Sequence, residues 1–110
     1  MRFIAIGAVL LSSALFSGAS LANNFFDVPL YADAREFARL DQKMPAVLSY
    51  FSQQTPSGLR DFYISQLGEP SSEQLLYGRL SLHFNVNNQQ VRIIISSQQN
   101  WQQVDIMVQR

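Results

Sequence analysis

The chain has 110 residues with no cysteine, a single histidine, and eight basic against eight acidic side chains. Without cysteine, neither a disulfide framework nor a thiolate metal site can form, and one histidine excludes metal sites built on several imidazoles. The balanced charge, with no basic stripe, argues against nucleic acid and anionic membrane surfaces as partners.

Met1-Arg2 gives a short positive start. Residues 3–16 are almost wholly apolar, interrupted only by Gly7, Ser12 and Ser13, and residues 17–22 turn small and end Ser20-Leu21-Ala22. This is the layout of a secretory signal peptide, residues 1–22, with cleavage expected after Ala22. The apolar run is short of the roughly 20 residues a spanning helix needs, and no later segment comes closer. No stable membrane insertion is expected after cleavage, and a bacterial periplasm fits best. The remaining 88 residues carry seven basic and eight acidic groups, a net charge of −1, and are expected to form one domain. They also hold twelve glutamines, eight of them in adjacent pairs at expected strand ends and loops, which read as neutral solvated surface.

Residues 23–34 hold Phe25, Phe26, Val28, Leu30 and Tyr31 around Pro29. A proline here permits an extended arm or an edge strand at most. Residues 33–43 are ambiguous. Asp33 and Glu36 have capping-box spacing and A-R-E-F-A-R-L favours a helix, yet E-F-A-R-L also reads as a strand. Residues 46–53, A-V-L-S-Y-F-S-Q, form a better strand, with Val47, Ser49 and Phe51 on one face and Leu48 and Tyr50 on the other.

Residues 55–68, T-P-S-G-L-R-D-F-Y-I-S-Q-L-G, are the one strong helix. Thr55 suits the N-cap, Pro56 the first turn, and Gly68 the stop, with Pro70 beyond it. Leu59, Phe62, Tyr63 and Leu67 make an apolar stripe, with Arg60 and Asp61 turned away. Residues 69–77 read as a polar link. Three alternating strands follow, centred on Leu80–Val86, Val91–Ile95 and Val104–Val108. Asn87-Asn88 suits a tight hairpin. If Asn87 opposes Gln90, then Val86 meets Val91, Phe84 meets Ile93 and Leu82 meets Ile95, and every apolar face agrees. A second hairpin turns through residues 98–101.

D-V-P-L-Y-A-D-A, the stretch ending S-Y-F-S-Q-Q-T-P, the helix L-R-D-F-Y-I-S-Q-L-G and the closing meander together resemble small exported bacterial domains of unassigned function. The resemblance covers nearly all of the chain after the leader and implies two strands, one helix, then three strands. It makes residues 36–41 a strand, against local propensity. It supplies no catalytic or binding residues. The expected fold is α+β, β-β-α-β-β-β, a single helix packed on an antiparallel sheet over residues 35–110.

Little here points to chemistry. His83 falls on the outer face of its strand. Asp105 shares that face two strands away, roughly 10 Å at a strand spacing of ~4.8 Å, too far for a triad. Ser81 and Ser96 lack a nucleophile turn such as G-x-S-x-G. Gly58, Gly68 and Gly78 are isolated and make no phosphate loop, and no D-x-D-x-D-G cation loop is present. No catalytic residue, metal or cofactor is expected, and the chain reads as a non-enzyme.

Two features stand above this background. The sheet face opposite the helix is expected to show Leu48 or Tyr50, His83, Ile94 and Met107, a surface that either docks a partner or lies under the N-terminal arm. Trp101, in a loop, either anchors a partner or folds back over the open edge of the core. The first expectation is a protein-interaction module acting through Tyr50, His83, Ile94, Trp101 and Met107, or through a sheet edge that accepts a strand. The alternative is a carrier of a small apolar ligand held between helix and sheet by Phe62, Tyr63, Phe84 and Ile93.

Overall fold

A computed structural model describes residues 24–110. The expected signal peptide and its cleavage point after Ala22 lie outside the described residues. The elements, in order, are β1 (Asn24–Phe25), β2 (Val28–Pro29), β3 (Arg35–Leu40), β4 (Ala46–Ser52), α1 (Pro56–Leu67), β5 (Ser72–Leu76), β6 (Arg79–Val86), β7 (Gln89–Ser97) and β8 (Gln102–Gln109). β3 to β8 form one six-stranded antiparallel sheet in the order β3-β4-β8-β7-β6-β5, and β1 and β2 form a separate small hairpin. The described residues are therefore α+β, mostly antiparallel sheet with a single helix among them.

Local chemistry explains the helix. The Thr55 hydroxyl accepts a hydrogen bond from the Gly58 N–H at 3.0 Å, satisfying a donor that the first turn leaves free. At the other end the Gly68 N–H donates to the Ile64 carbonyl, and Gly68 sits at φ 92° and ψ −166°. That backbone region is essentially restricted to glycine and lies outside the left-handed helical cap that the sequence suggests. Leu59 and Tyr63 are fully buried beneath the helix, while Phe62 and Leu67 flank them half-buried.

Three two-residue turns link strands, and all have positive φ at both central positions: Phe26-Asp27, Tyr77-Gly78 and Asn87-Asn88. Such turns match the twist of the strands they join. They explain two departures from the sequence reading. First, Val86 pairs with Gln89, Phe84 with Val91 and Leu82 with Ile93, two residues away from the expected register. A shift of two keeps every side chain on its face, so the apolar pattern cannot detect it. Second, part of the supposed polar link is strand β5, held to β6 through the Tyr77-Gly78 turn. The order is therefore β-β-α-β-β-β-β after the N-terminal hairpin, one strand more than expected. β3 is a strand, as the resemblance implies and helix propensity does not.

The N-terminal arm does not cover the outer face. Its hairpin lies beside the helix on the core side, where Phe25 and Val28 are buried. The Gln89 side chain donates to the Phe26 carbonyl at 3.0 Å and accepts from Arg110 Nε at 2.8 Å, pinning the hairpin near the tip of β6–β7. Asp33 ties the arm to the end of β4, accepting from Ser52 Oγ at 2.6 Å and from the Gln53 N–H at 2.8 Å.

Candidate partner-binding surfaces

With helix and hairpin both on one side, no other element among the described residues covers the opposite face of the sheet. Its rows follow from the register. Val47, Met107, Arg92 and His83 lie side by side, then Ser49, Asp105, Ile94 and Ser81, then Phe51, Gln103, Ser96 and Arg79. Val47, Phe51, Ile94 and Met107 are each half-buried. His83 is on this face as expected, opposite Arg92. The face's one carboxylate, Asp105, is engaged: Ser49 Oγ donates to it at 2.6 Å and Gln103 Nε2 at 3.1 Å. Among the described residues no three His, Asp or Glu side chains group as metal ligands.

Tyr50 does not belong to this surface. It is fully buried on the helix side, because its strand partner Val104 faces the core. Burial pushes its hydroxyl up to about 12, lessened by hydrogen bonds from Tyr63 and the Tyr31 N–H. The hydroxyl lies 2.7 Å from that of Tyr63, which is also raised well above its usual value by burial and by its neighbour. Val47 and Phe51 take the outer positions instead. The segment A-V-L-S-Y-F-S carries large apolar residues on both faces. Each face also carries one serine, Ser49 outside and Ser52 inside, so the segment itself holds no signal for which side meets water.

Phe51 is the residue the sequence reading missed. The register of β3 jumps between Glu36↔Tyr50 and Ala38↔Ser49, and the extra residue of this bulge is Phe37. Its ring stacks on Phe51 at 4.4 Å, with Trp101 edge-on to Phe51 at 6.5 Å. The Arg35 guanidinium lies 5.7 Å from the Trp101 ring centre. Phe37 remains 50% exposed, and a cavity of about 350 Å³ opens between Arg35, Phe51, Gln98, Trp101 and Gln103. Trp101 therefore extends the outer face and does not close the core.

Three of the four side chains of the carrier alternative are packed core, and the fourth, Phe62, is half-buried against it. Tyr63 and Ile93 are fully buried and Phe84 is nearly so, while Phe62 is wedged edge-on between Tyr31 at 5.1 Å and Tyr63 at 4.9 Å.

The two sheet edges differ. β3 carries Arg35, Glu36 and Arg39 and is bent by its bulge, both devices that discourage strand addition. Glu36 and Arg39 pair at 2.9 Å, which lowers the carboxyl and raises the guanidinium from their ordinary values. β5 is regular along its length and has one charge, Glu73, whose Oε1 accepts from Arg60 at 3.0 Å. Leu75 is 70% exposed and Leu76 52%, while Tyr77 at the turn is wholly exposed.

Comparison with family models, with characterised proteins and with solved structures finds no match to this chain. Among the described residues no helix is long and apolar enough to cross a membrane.

Proposed function

We propose that this chain is an exported, periplasmic interaction module without catalytic activity, which docks a protein partner on the outer sheet face around Phe51, Ile94, Trp101 and Met107. The observation that carries the reading is the aromatic group Phe37–Phe51–Trp101, open on a face that neither helix nor hairpin covers. Rigid aromatic rings beside an arginine are the side chains that most often dominate protein interfaces, and a neighbouring cavity gives an inserted side chain a seat. The strands hold Phe51, Ile94 and Met107 in place, and Trp101 packs edge-on to Phe51 from the adjoining loop, so docking orders little that is not already ordered. Apolar-ligand carriage between helix and sheet draws no such support, because Tyr63, Phe84 and Ile93 fill that space themselves.

Site-specific photocrosslinking in living cells tests the reading. A crosslinker placed at Ile94, Trp101 or Met107 should trap the same exported protein, and one at exposed Gln66 on the helix should not. The double change Ile94→Asp with Met107→Asp should remove the adduct formed through Trp101. Trp101→Ala should weaken binding of the trapped partner by about 30-fold, the scale of a central interface anchor. An adduct that persists in the double variant, or one trapped equally well from Gln66, overturns the assignment.

A further inference from the structure

The open edge of β5 is built to pair with itself, and we infer that this chain forms a symmetric dimer through antiparallel β5–β5 pairing centred on Gln74. The parity of the ladder shows which groups are free. Residues flanking a two-residue hairpin turn bond to each other, so Leu76 and Arg79 exchange hydrogen bonds, as Gln74 with Ser81 does further along. Glu73 and Leu75 then direct their N–H and C=O groups away from β6, toward the open edge. These two residues sit symmetrically about Gln74. A two-fold axis through Gln74 sets Glu73 of one copy against Leu75 of the other, and the reverse, closing about four backbone hydrogen bonds.

Side chains agree with this register. No like charges face each other, because each Glu73 opposes a leucine and is already turned to Arg60 of its own copy. The two Leu75 side chains approach diagonally across the seam on the helix side, within reach of one another. On the outer side each Leu76 meets a serine, Ser72 of the second copy. The most exposed apolar strip of the described chain, Leu75-Leu76-Tyr77, thus lies at the seam. Charge and a bulge guard the opposite edge, β3, and β5 has neither an unpaired charge nor a bulge. Self-pairing at β5 does not depend on docking at the outer face, which lies on other strands.

Sedimentation of the exported chain across a range of concentrations tests the dimer. The wild-type chain should show a reversible monomer–dimer equilibrium. Gln74→Lys and Gln74→Glu each oppose like charges on the axis and should raise the dissociation constant by about fivefold or more. Mixing the two variants should restore a dimer containing one copy of each. Leu75→Pro removes an outward N–H without touching the β5–β6 ladder and should leave a monomer whose circular dichroism matches the wild type. Should that variant misfold, Gln74→Cys in this cysteine-free chain offers a second readout. Non-hydrogen-bonded partners lie within disulfide reach, so it should crosslink dimers under oxidising conditions, while Gln66→Cys should not. A wild type that stays monomeric up to millimolar concentration, or a dimer indifferent to Gln74→Lys, overturns the inference. So does failure of the mixed variants to pair.

Discussion

Replacing Tyr63 by Phe probes the polar contact at the centre of the core. The Tyr63 and Tyr50 hydroxyls are 2.7 Å apart, and among the described residues the only other partner of the Tyr50 hydroxyl is the Tyr31 N–H, donating at 3.3 Å. Tyr63→Phe deletes one short bond and leaves a buried hydroxyl on the longer one, a cost of about 1–2 kcal/mol. For a domain of this size that lowers the melting temperature by roughly 4–15 °C. The pair also makes stability depend on pH in a definite direction. Both hydroxyls are raised in the folded state, so folding favours the protonated form. Their contribution is complete below the ordinary tyrosine value near 10 and is lost as pH climbs through the folded values. For Tyr50, raised to about 12, the full loss is on the order of 3 kcal/mol, at roughly 1.4 kcal/mol for each unit. Urea denaturation followed by circular dichroism at pH 8, 10, 11 and 12 measures both effects. The wild type should lose stability above pH 10 at a slope approaching two protons, and Tyr63→Phe at a slope near one. Equal slopes, or a Tyr63→Phe variant as stable as the wild type at pH 8, would refute the reasoning.

Two further outcomes follow from the helix start and the β5–β6 turn. A Cβ on Gly58 would stand 2.5 Å from Gln54 Cδ. The Gln54 side chain accepts from the Thr55 N–H at 2.8 Å and donates to the Tyr31 hydroxyl. Gly58→Ala should therefore fail to deliver the roughly 1 kcal/mol that helix propensity promises, and should deliver it once Gln54→Ala has cleared the space, as a double-mutant cycle of urea midpoints will show. Tyr77 is fully exposed and held at φ 52°, where a bulky side chain is strained. Tyr77→Asn should stabilise the folded monomer by about 0.5–1 kcal/mol in the same denaturation assay, since asparagine tolerates that backbone and none of the described residues packs on the ring.

What was readable in the sequence is what short-range chemistry decides. Thr55, Pro56 and Gly68 mark the helix because caps act within one turn of it, and β6, β7 and β8 announce themselves by alternation. The features that escaped were decided by partners distant in the chain. S-E-Q-L-L has neither alternation nor β-branched residues. It becomes a strand because the Tyr77-Gly78 turn returns it against β6, and that dipeptide was the one available signal. The outer face of β4 is chosen by pairing with β8, about fifty residues on or more, so the sequence alone does not decide between the Val47–Ser49–Phe51 face and the Leu48–Tyr50 face. The arm's five large apolar residues called for a home, and the sequence could not show that the space beside a twelve-residue helix leaves room for one.

The symmetry of β5 pairing bears on the outer face. A two-fold axis perpendicular to an antiparallel seam keeps the corresponding faces of the two copies on the same side. Helices and N-terminal hairpins would lie on one side of a continuous sheet, and both Phe37–Phe51–Trp101 groups on the other. Counting strand spacings from β4 to the seam and out again sets the two groups roughly 40 Å apart along the twisted sheet. Neither surface need then bind tightly alone. A partner that presents its own binding segment twice at that spacing gains the second contact at high effective concentration, and a monomeric partner does not. A partly exposed aromatic site at one end of a sheet whose other edge is unguarded is poor design for a lone monomer, which risks aggregation at both places. In a dimer the edge is sealed and the two aromatic sites face the same way, so one arrangement accounts for the exposed edge and gives the aromatic sites a bivalent use.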